Sequence, residues 1–320
     1  MAKSKKASKL LSIILPVLNE VDQIKNCVDV IRKVVSDAVD MRLEFIVVDD
    51  GSTDGTWQVL DGMAKSDKDV KAVRFSRNFG KENAMYAGLN RSSGDAVVVM
   101  DSDLQHPPEV IKDMVSLWEN DRYQIVNAVK TSRGEESVIR KYTVSAFYKV
   151  FQFLTDVDLQ GSSDFKLLDR DVVDSYLRFG ERNLFLRGLV PWMGYRTAFV
   201  DFEVQERLGG ETKWSGYKRL MLAVDAITSF SVIPLQLVTL SGFLFFVFSV
   251  LIGLQTLWNW LNGGAVEGFT TVIILLLLMG SILMVSLGII GQYLSKIYRE
   301  IKGRPHYILR ETAGFSDAKK

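Results

Sequence analysis

Asp101 and Asp103 stand one residue apart at the end of an apolar run, Val97-Val98-Val99-Met100. Gly94-Asp95 precedes the run and Pro107-Pro108 follows it, so it reads as a buried strand of a parallel sheet. Ligands of open α/β sheets bind just beyond the carboxyl ends of the strands. Two hard oxygen donors at such an end suit Mg²⁺ or Mn²⁺, and that ion would in turn hold a diphosphate. The tripeptide by itself fits equally well with two solvated loop carboxylates, or with a helix N-cap ahead of Pro107.

Four more polar clusters carry chemistry. Pro16-Val17-Leu18-Asn19-Glu20 closes a first apolar run, Leu10 to Leu15, because proline cannot continue a central strand. Asp49-Asp50-Gly51-Ser52-Thr53-Asp54-Gly55-Thr56 follows a second run, Leu43 to Val48. Acids there can accept hydrogen bonds from a base N–H or from ribose hydroxyls, and Ser52 to Asp54 can cap the next helix. A tight βα turn with no ligand is the plain alternative. Ser76-Arg77-Asn78-Phe79-Gly80-Lys81-Glu82 follows a third run, Val70 to Phe75. Gln205 to Lys213 is a Gly-containing stretch with Arg207 and Lys213, whose cations suit a diphosphate or simply solvate a surface.

These clusters need a scaffold that brings strand ends together. Val21 to Val39 has a helical period through Ile24, Val28, Ile31 and Val35. Lys81 to Arg91 and Pro107 to Trp118 read as further helices, and Gln124 to Val129 as another strand. Strands alternating with helices, with a polar cluster after each strand, predict a doubly wound, mostly parallel α/β sheet. Gly-x-Gly-x-x-Gly after the first strand and Gly-x-x-x-x-Gly-Lys-Ser/Thr are both absent, which disfavours a dinucleotide dehydrogenase and a P-loop NTPase. Thr131 to Arg140 reads as a polar loop. Val138 to Leu154 presents a wide apolar face for core packing or for a membrane surface. Gly161 to Arg170 is a short polar turn that carries Asp164 into an apolar segment.

Composition divides the 320 residues unevenly. With 39 Lys+Arg against 38 Asp+Glu, charge gives no basis for a nucleic-acid partner. One cysteine, Cys27, excludes an internal disulfide framework and is expected to pack on its helix. No charged residue lies between Asp225 and Glu267, or between Glu267 and Lys296. Each interval holds a run of about 20 apolar residues, enough to cross a bilayer. The expected organisation is a basic tail at 1–9, a catalytic domain at 10–213 and a juxtamembrane amphipathic helix at 214–232. Two transmembrane helices at 233–295 and a basic tail at 296–320 complete it. Lys296, Arg299, Lys302, Arg304 and Arg310 follow the second span, while Trp258 to Phe269 contains no Lys or Arg, so both chain ends are expected in the cytoplasm.

The Pro16–Glu20 segment, the Asp49–Thr56 turn, Asn78-Phe79-Gly80-Lys81 and Asp101-Ser102-Asp103-Leu104-Gln105 together resemble family 2 glycosyltransferases of the GT-A fold. They are most similar to the branch that glycosylates polyprenyl phosphates, which includes dolichol-phosphate mannose synthases and bactoprenol glucosyltransferases. Asp164-Phe165-Lys166-Leu167-Leu168-Asp169-Arg170 resembles that branch's Asp-Phe-Arg-Leu-Leu-Asp-Arg. Phe185 to Gly194 and Gly210-Glu211-Thr212-Lys213-Trp214 look like further segments of it. The branch often has another Arg just before that last loop, where this chain has Glu203 and Gln205.

The resemblance implies an inverting transfer of a hexose, expected to be glucose, from a UDP-sugar to undecaprenyl phosphate. The product would serve cell-surface glycan modification at the bacterial inner membrane. It implies nucleotide-sugar contacts from Pro16, Leu18, Glu20, Val48, Asp49 and Asp50, and also from Lys81, Asp101, Ser102, Arg207 and Lys213. Asp101, Asp103 and Gln105 would hold Mg²⁺ or Mn²⁺; Arg133 and Arg140 would meet the acceptor phosphate. Asp103 and Asp164 would be catalytic, Asp164 as base in the family-style assignment. A phosphate monoester is largely dianionic at neutral pH, its second pKa being about 6, so Asp164 could instead orient the acceptor or the sugar. Implied partners are membrane lipid, a second copy of the chain, and a downstream flippase and glycosyltransferase. Competing readings are a GDP-mannose or amino-sugar donor, a polysaccharide synthase, and a membrane scaffold with a disused nucleotide fold. A synthase is disfavoured because Gln-x-x-Arg-Trp is absent and two spans are too few for a pore.

Overall fold

The computed structural model describes residues 9–131, 152–153, 161, 163–182, 184–203, 228, 231–262 and 268–315. The chain divides into two compact units. One comprises residues 1–152, 157–212 and 304–320; the other comprises 153–156 and 213–303.

The first unit is built on one eight-stranded sheet. Its elements begin β1 (Leu10–Val17), α1 (Ile24–Ala38), β2 (Arg42–Asp49), α2 (Thr56–Ser66), β3 (Val70–Phe75), α3 (Lys81–Arg91) and β4 (Ala96–Val99). They continue with α4 (Val110–Asn120), β5 (Ile125–Thr131), β6 (Lys166–Asp169), α5 (Arg170–Leu177), α6 (Leu186–Trp192) and β7 (Thr197–Glu203). β8 (Leu309–Ala313) is the last strand among the described residues. The sheet order is β7-β5-β6-β4-β1-β2-β3-β8. β1 to β4 run parallel, and all four residues of β4 are buried, as its unbroken Ala-Val-Val-Val run requires of a central parallel strand. The fold is therefore the expected GT-A-like α/β sheet, mixed rather than wholly parallel: β6 runs antiparallel between β4 and β5, and β8 antiparallel to β3.

Strand order reverses at β1, which pairs with β2 on one side and β4 on the other. Ligands of open sheets bind at such a switch point. The turns after β1 and β4 therefore open side by side. Helix α1 buries Ile24, Cys27, Val28, Ile31 and Val35, the face its period predicts, and Cys27 is a core residue. Helix α3 lies against β1: a Cβ on Gly88 would stand 2.4 Å from Ile14 Cγ2. That close approach carries the N-terminus of α3, with Lys81, over the strand ends.

Residues 309–313, expected within a basic tail, instead form the edge strand beside β3. Arg74 faces Glu311 in the ladder, and the register shifts between Arg74 and Phe75. Tyr307 stacks on Phe75 at 4.7 Å between ring centroids.

The second unit contains α7 (Ile233–Leu261) and α8 (Phe269–Ile301). Both contain stretches long and apolar enough to cross a membrane, with mean hydropathy of 2.5 and 2.1. Pro234 starts α7, where a missing N–H costs nothing. Helix α8 continues past Leu294 and carries Lys296 and Arg299 in its last turns. Tyr293 donates to the Ser231 carbonyl at 2.6 Å. The apolar segment 138–151 and the helix expected at 214–227 lie outside the described residues.

Candidate active site

A cavity of about 330 Å³ opens at the switch point. The β1 turn contributes Pro16, Leu18 and Glu20, and the β2 turn contributes Asp50. Asn78, Gly80 and Lys81 enter from the start of α3, and Asp101, Ser102 and Asp103 from the end of β4. A second cavity of about 150 Å³ also has Asp101 in its wall. Its other walls include Gln105, His106, Lys130, Asp164 and Arg187.

Local structure holds these groups. Asn19 takes a left-handed conformation, φ 57°. Its N–H donates to Ser52 Oγ at 2.8 Å, and its side-chain oxygen accepts from Thr53 N at 3.0 Å, which ties the β1 turn to the β2 turn. Asp50 accepts from Phe79 N at 2.6 Å and from Gly80 N at 2.9 Å, so its carboxylate fixes the turn that presents Lys81. Burial raises the Asp50 pKa, and those two N–H groups only partly offset it. Gly51 is required where it stands: its φ is 79° and a Cβ would meet the Arg77 backbone carbon at 2.4 Å. After β4, Leu104 has φ 55°, an uncommon and strained conformation for a bulky side chain. Gln105 N closes that turn onto Asp103 Oδ1 at 3.1 Å.

Lys81 joins the two cavities. Its Nζ lies 2.5 Å from Asp101 Oδ1 and 2.7 Å from Asp164 Oδ2. Arg187 meets the same Asp164 through two bonds, Nε to Oδ1 at 2.6 Å and Nη2 to Oδ2 at 2.8 Å. Burial works against ionised Asp164, but Arg187 and Lys81 outweigh it and hold the carboxyl far below the ordinary range. Burial opposes charge on Lys81 as well, and Asp101 and Asp164 reverse the balance. Behind this triad, Lys166 on β6 is fully buried, and its Nζ has no hydrogen-bond partner among the described residues. Desolvation pulls its pKa down to about 8. His106 Nδ1 accepts from Asp101 N at 3.2 Å, and burial lowers its pKa, so it stays neutral.

A glycosyl transferase family 2 model matches residues 12–177, more than half of the chain and the strands β1 to β6. The chain belongs to that family. A prophage bactoprenol glucosyl transferase homolog of Escherichia coli is 34% identical over 305 residues, covering 94% of this chain and 98% of that protein. The bactoprenol glucosyl transferase of Shigella phage SfII is 34% identical over 307 residues, with the same coverage. An uncharacterized glycosyltransferase of Synechocystis is 36% identical over 306 residues, 95% of this chain and 96% of that one. Mannosyl-3-phosphoglycerate synthase from Rubrobacter xylanophilus shares the fold, with a TM-score of 0.50 at 19% identity over 69% of this chain and 73% of that one.

This family 2 glycosyltransferase has a donor set that fits a hard divalent cation. Asp101 and Asp103 offer carboxylate oxygens to one cavity. Glu20, in the same wall, has its pKa raised by burial and then by the charge of Asp103, a concentration of negative charge that a cation would relieve. Among the described residues no three His, Cys, Asp or Glu side chains gather round one point. The protein would thus supply two carboxylates, and substrate and water the rest, the usual arrangement for Mg²⁺.

Seven of the expected nucleotide-sugar residues line the larger cavity: Pro16, Leu18, Glu20 and Asp50 from the first two strand ends, Lys81, Asp101 and Ser102 from the others; Asp103, expected as a metal ligand and catalytic group, lines it too. Val48 and Asp49 are fully buried behind it. Gln105 faces the smaller cavity. Arg133, Arg140, Arg207 and Lys213 lie outside the described residues. Arg187 and Lys130 carry no expectation from sequence, although Arg187 falls in the Phe185–Gly194 segment quoted above. Its pairing with Asp164 spans 23 residues and leaves no periodic signal.

Proposed function

We propose that this transferase moves a hexose, glucose in the first instance, from a UDP-sugar to a polyprenyl phosphate at the cytoplasmic face of the bacterial inner membrane. One observation carries the reading. Two cavities meet at Asp101, and Lys81 ties Asp101 of the larger to Asp164 of the smaller. A nucleotide-sugar in the first and a phosphate in the second would place the anomeric carbon between them. Lys130 and Arg187 give the smaller cavity cations for an anionic acceptor. Likeness to bactoprenol glucosyl transferases along 94% of the chain, apolar helices included, supports a lipid acceptor and glucose.

In the proposed step an acceptor phosphate oxygen bonds to the anomeric carbon from the face opposite the diphosphate. The bond from that carbon to the diphosphate oxygen breaks, UDP departs, and configuration inverts. Asp101 and Asp103, with Gln105 in the adjoining cavity, would hold Mg²⁺ or Mn²⁺, which when bound would supply positive charge for the leaving diphosphate. The acceptor arrives largely as a dianion, with a second pKa of about 6. Asp164, fixed by two cations, then positions rather than deprotonates. Helices α7 and α8 would be the two membrane spans, with Lys296, Arg299 and Lys302 on the cytoplasmic side.

The test incubates the full chain in detergent with undecaprenyl phosphate and a panel of radiolabelled UDP- and GDP-sugars. Transfer from UDP-glucose to the lipid, with inversion, is expected. Transfer only to water-soluble acceptors would overturn the lipid assignment, and preference for GDP-mannose would overturn the donor.

A further inference from the structure

The mechanism above makes no use of the last strand, yet β8 reaches toward the donor cavity through a continuous set of polar contacts. Glu311 sends its two carboxylate oxygens to different elements. Oε2 accepts from Trp57 Nε1 of α2 at 2.8 Å, and Oε1 accepts from Arg74 Nη1 of β3 at 2.9 Å. The Arg74 guanidinium is itself divided among two hydrogen-bond acceptors and one facing carboxylate. Nη1 meets Glu311, Nη2 donates to the Ser52 carbonyl at 3.3 Å, and Nε stands 3.5 Å from Asp49 Oδ2. Asp49 is fully buried, and its Oδ2 has no hydrogen-bond partner among the described residues. Its other oxygen accepts from Ser52 N at 2.8 Å, and Ser52 Oγ accepts from Asn19 N. Asn19 lies between Leu18 and Glu20, both in the wall of the donor cavity.

We propose that Glu311 is a positioning residue for the donor nucleotide, acting through Arg74 on the Asp49–Ser52 turn; this rests on the UDP-sugar reading above. A guanidinium is a planar fork, and two hydrogen bonds plus the longer ion pair with Asp49 set its orientation only while all three partners are present. The register shift between Arg74 and Phe75 marks the kind of irregularity that re-aims a side chain at functional edges. Without the Glu311 charge, Arg74 turns toward water, the Ser52 carbonyl loses its donor, and Asp49 keeps a buried charge with no facing cation. Both turns that border the cavity then lose a common anchor. Sheet pairing alone does not require this arrangement, because the β3–β8 ladder is held by backbone groups and by Tyr307 stacked on Phe75.

Full-length wild type, Glu311→Gln and Trp57→Phe are compared in detergent by calorimetric titration with UDP, by donor and acceptor kinetics, and by thermal melting. Glu311 is substantially exposed, and glutamine can still accept from Trp57, so the variant folds. Glu311→Gln is expected to raise the UDP Kd and the donor KM together by about three- to tenfold, the scale of one charged hydrogen bond felt indirectly. Its kcat and acceptor KM stay at wild-type values, while its melting temperature falls because buried Asp49 loses its facing cation. Trp57→Phe, which removes the other partner of the same carboxylate, leaves the UDP Kd unchanged. Wild-type UDP affinity in Glu311→Gln overturns the inference, as does equal weakening by Trp57→Phe, which would make Glu311 a strand anchor only. A wild-type protein that binds no UDP overturns the donor reading itself, and this inference with it.

Discussion

Replacing Asp164 with asparagine separates two roles for its carboxylate. Arg187 contributes two bonds to it and Lys81 a third, and together they outweigh burial and hold the carboxyl far below its ordinary range. A carboxylate so weakly basic is a poor proton acceptor at neutral pH, and the acceptor phosphate arrives largely ionised, with a second pKa of about 6. Asparagine keeps the shape and one acceptor oxygen but loses the charge. Charged hydrogen bonds contribute about 1.5–3 kcal/mol each. The Arg187 and Lys81 side chains are 46% and 42% exposed, so water recovers much of what is lost. A net cost of about 1.5–3 kcal/mol, or about 10- to 150-fold in rate, is expected for the whole substitution. The assay is kcat/KM for undecaprenyl phosphate from about pH 5 to about pH 9, in wild type and Asp164→Asn. Both profiles should fall together below about pH 6, following the acceptor phosphate. Folding does not disturb the comparison. A depressed carboxyl contributes stability that is present above the unfolded value, about 3.9, and is lost only as pH falls through the lower folded value. A loss beyond about 10⁴-fold, with the acid limb gone and activity restored by added formate, would make Asp164 the base and refute the positioning role.

Asp103→Asn should abolish the dependence of UDP binding on Mg²⁺ or Mn²⁺ while the melting curve stays in place; calorimetry that finds the dependence intact would remove Asp103 from the metal site. Gly88→Ala should destabilise the fold by about 1–3 kcal/mol, because the new Cβ meets Ile14 at 2.4 Å where α3 crosses β1, and a wild-type denaturation midpoint would contradict that packing. Gly263→Cys should react with a membrane-impermeant thiol reagent only from the side opposite the catalytic domain, since the connection lacks Lys and Arg; labelling from the cytoplasm alone would reverse the topology. Cys27 is buried in the core and should stay silent in that experiment.

Local patterns disclosed local structure well. Val70–Phe75 and Lys81–Arg91 form at the residues expected, because Gly80 interrupts the chain between them and an apolar run and a helical period lie on either side. The end of β4 likewise delivers Asp101 and Asp103 to a cavity at the switch point. What escaped notice depends on distant partners. β6 is four residues long and carries a lysine, so its place between β4 and β5 is decided by antiparallel pairing that no spacing announces. β8 is exposed, charged and separated from β3 by more than two hundred residues, which makes it read as a tail. The Arg187–Asp164 pair was hidden for the same reason: an ion pair across 23 residues has no period.

The return of β8 to the sheet also orders events in time. Residues 213–303 are an excursion within the chain of the first unit, whose outermost strand is made last. Until β8 emerges from the ribosome, β3 keeps a free edge of N–H and C=O groups, the feature that invites pairing with other chains. Translation proceeds at about 5–20 residues per second, so that edge waits roughly 10–50 seconds while the intervening chain, both apolar helices included, is made. A fragment cut before α7, a natural choice for a soluble enzyme, would keep that edge open permanently and leave Trp57 Nε1 without its carboxylate. Excising 213–303 and splicing 212 to 304 through a linker would retain the strand that closes it.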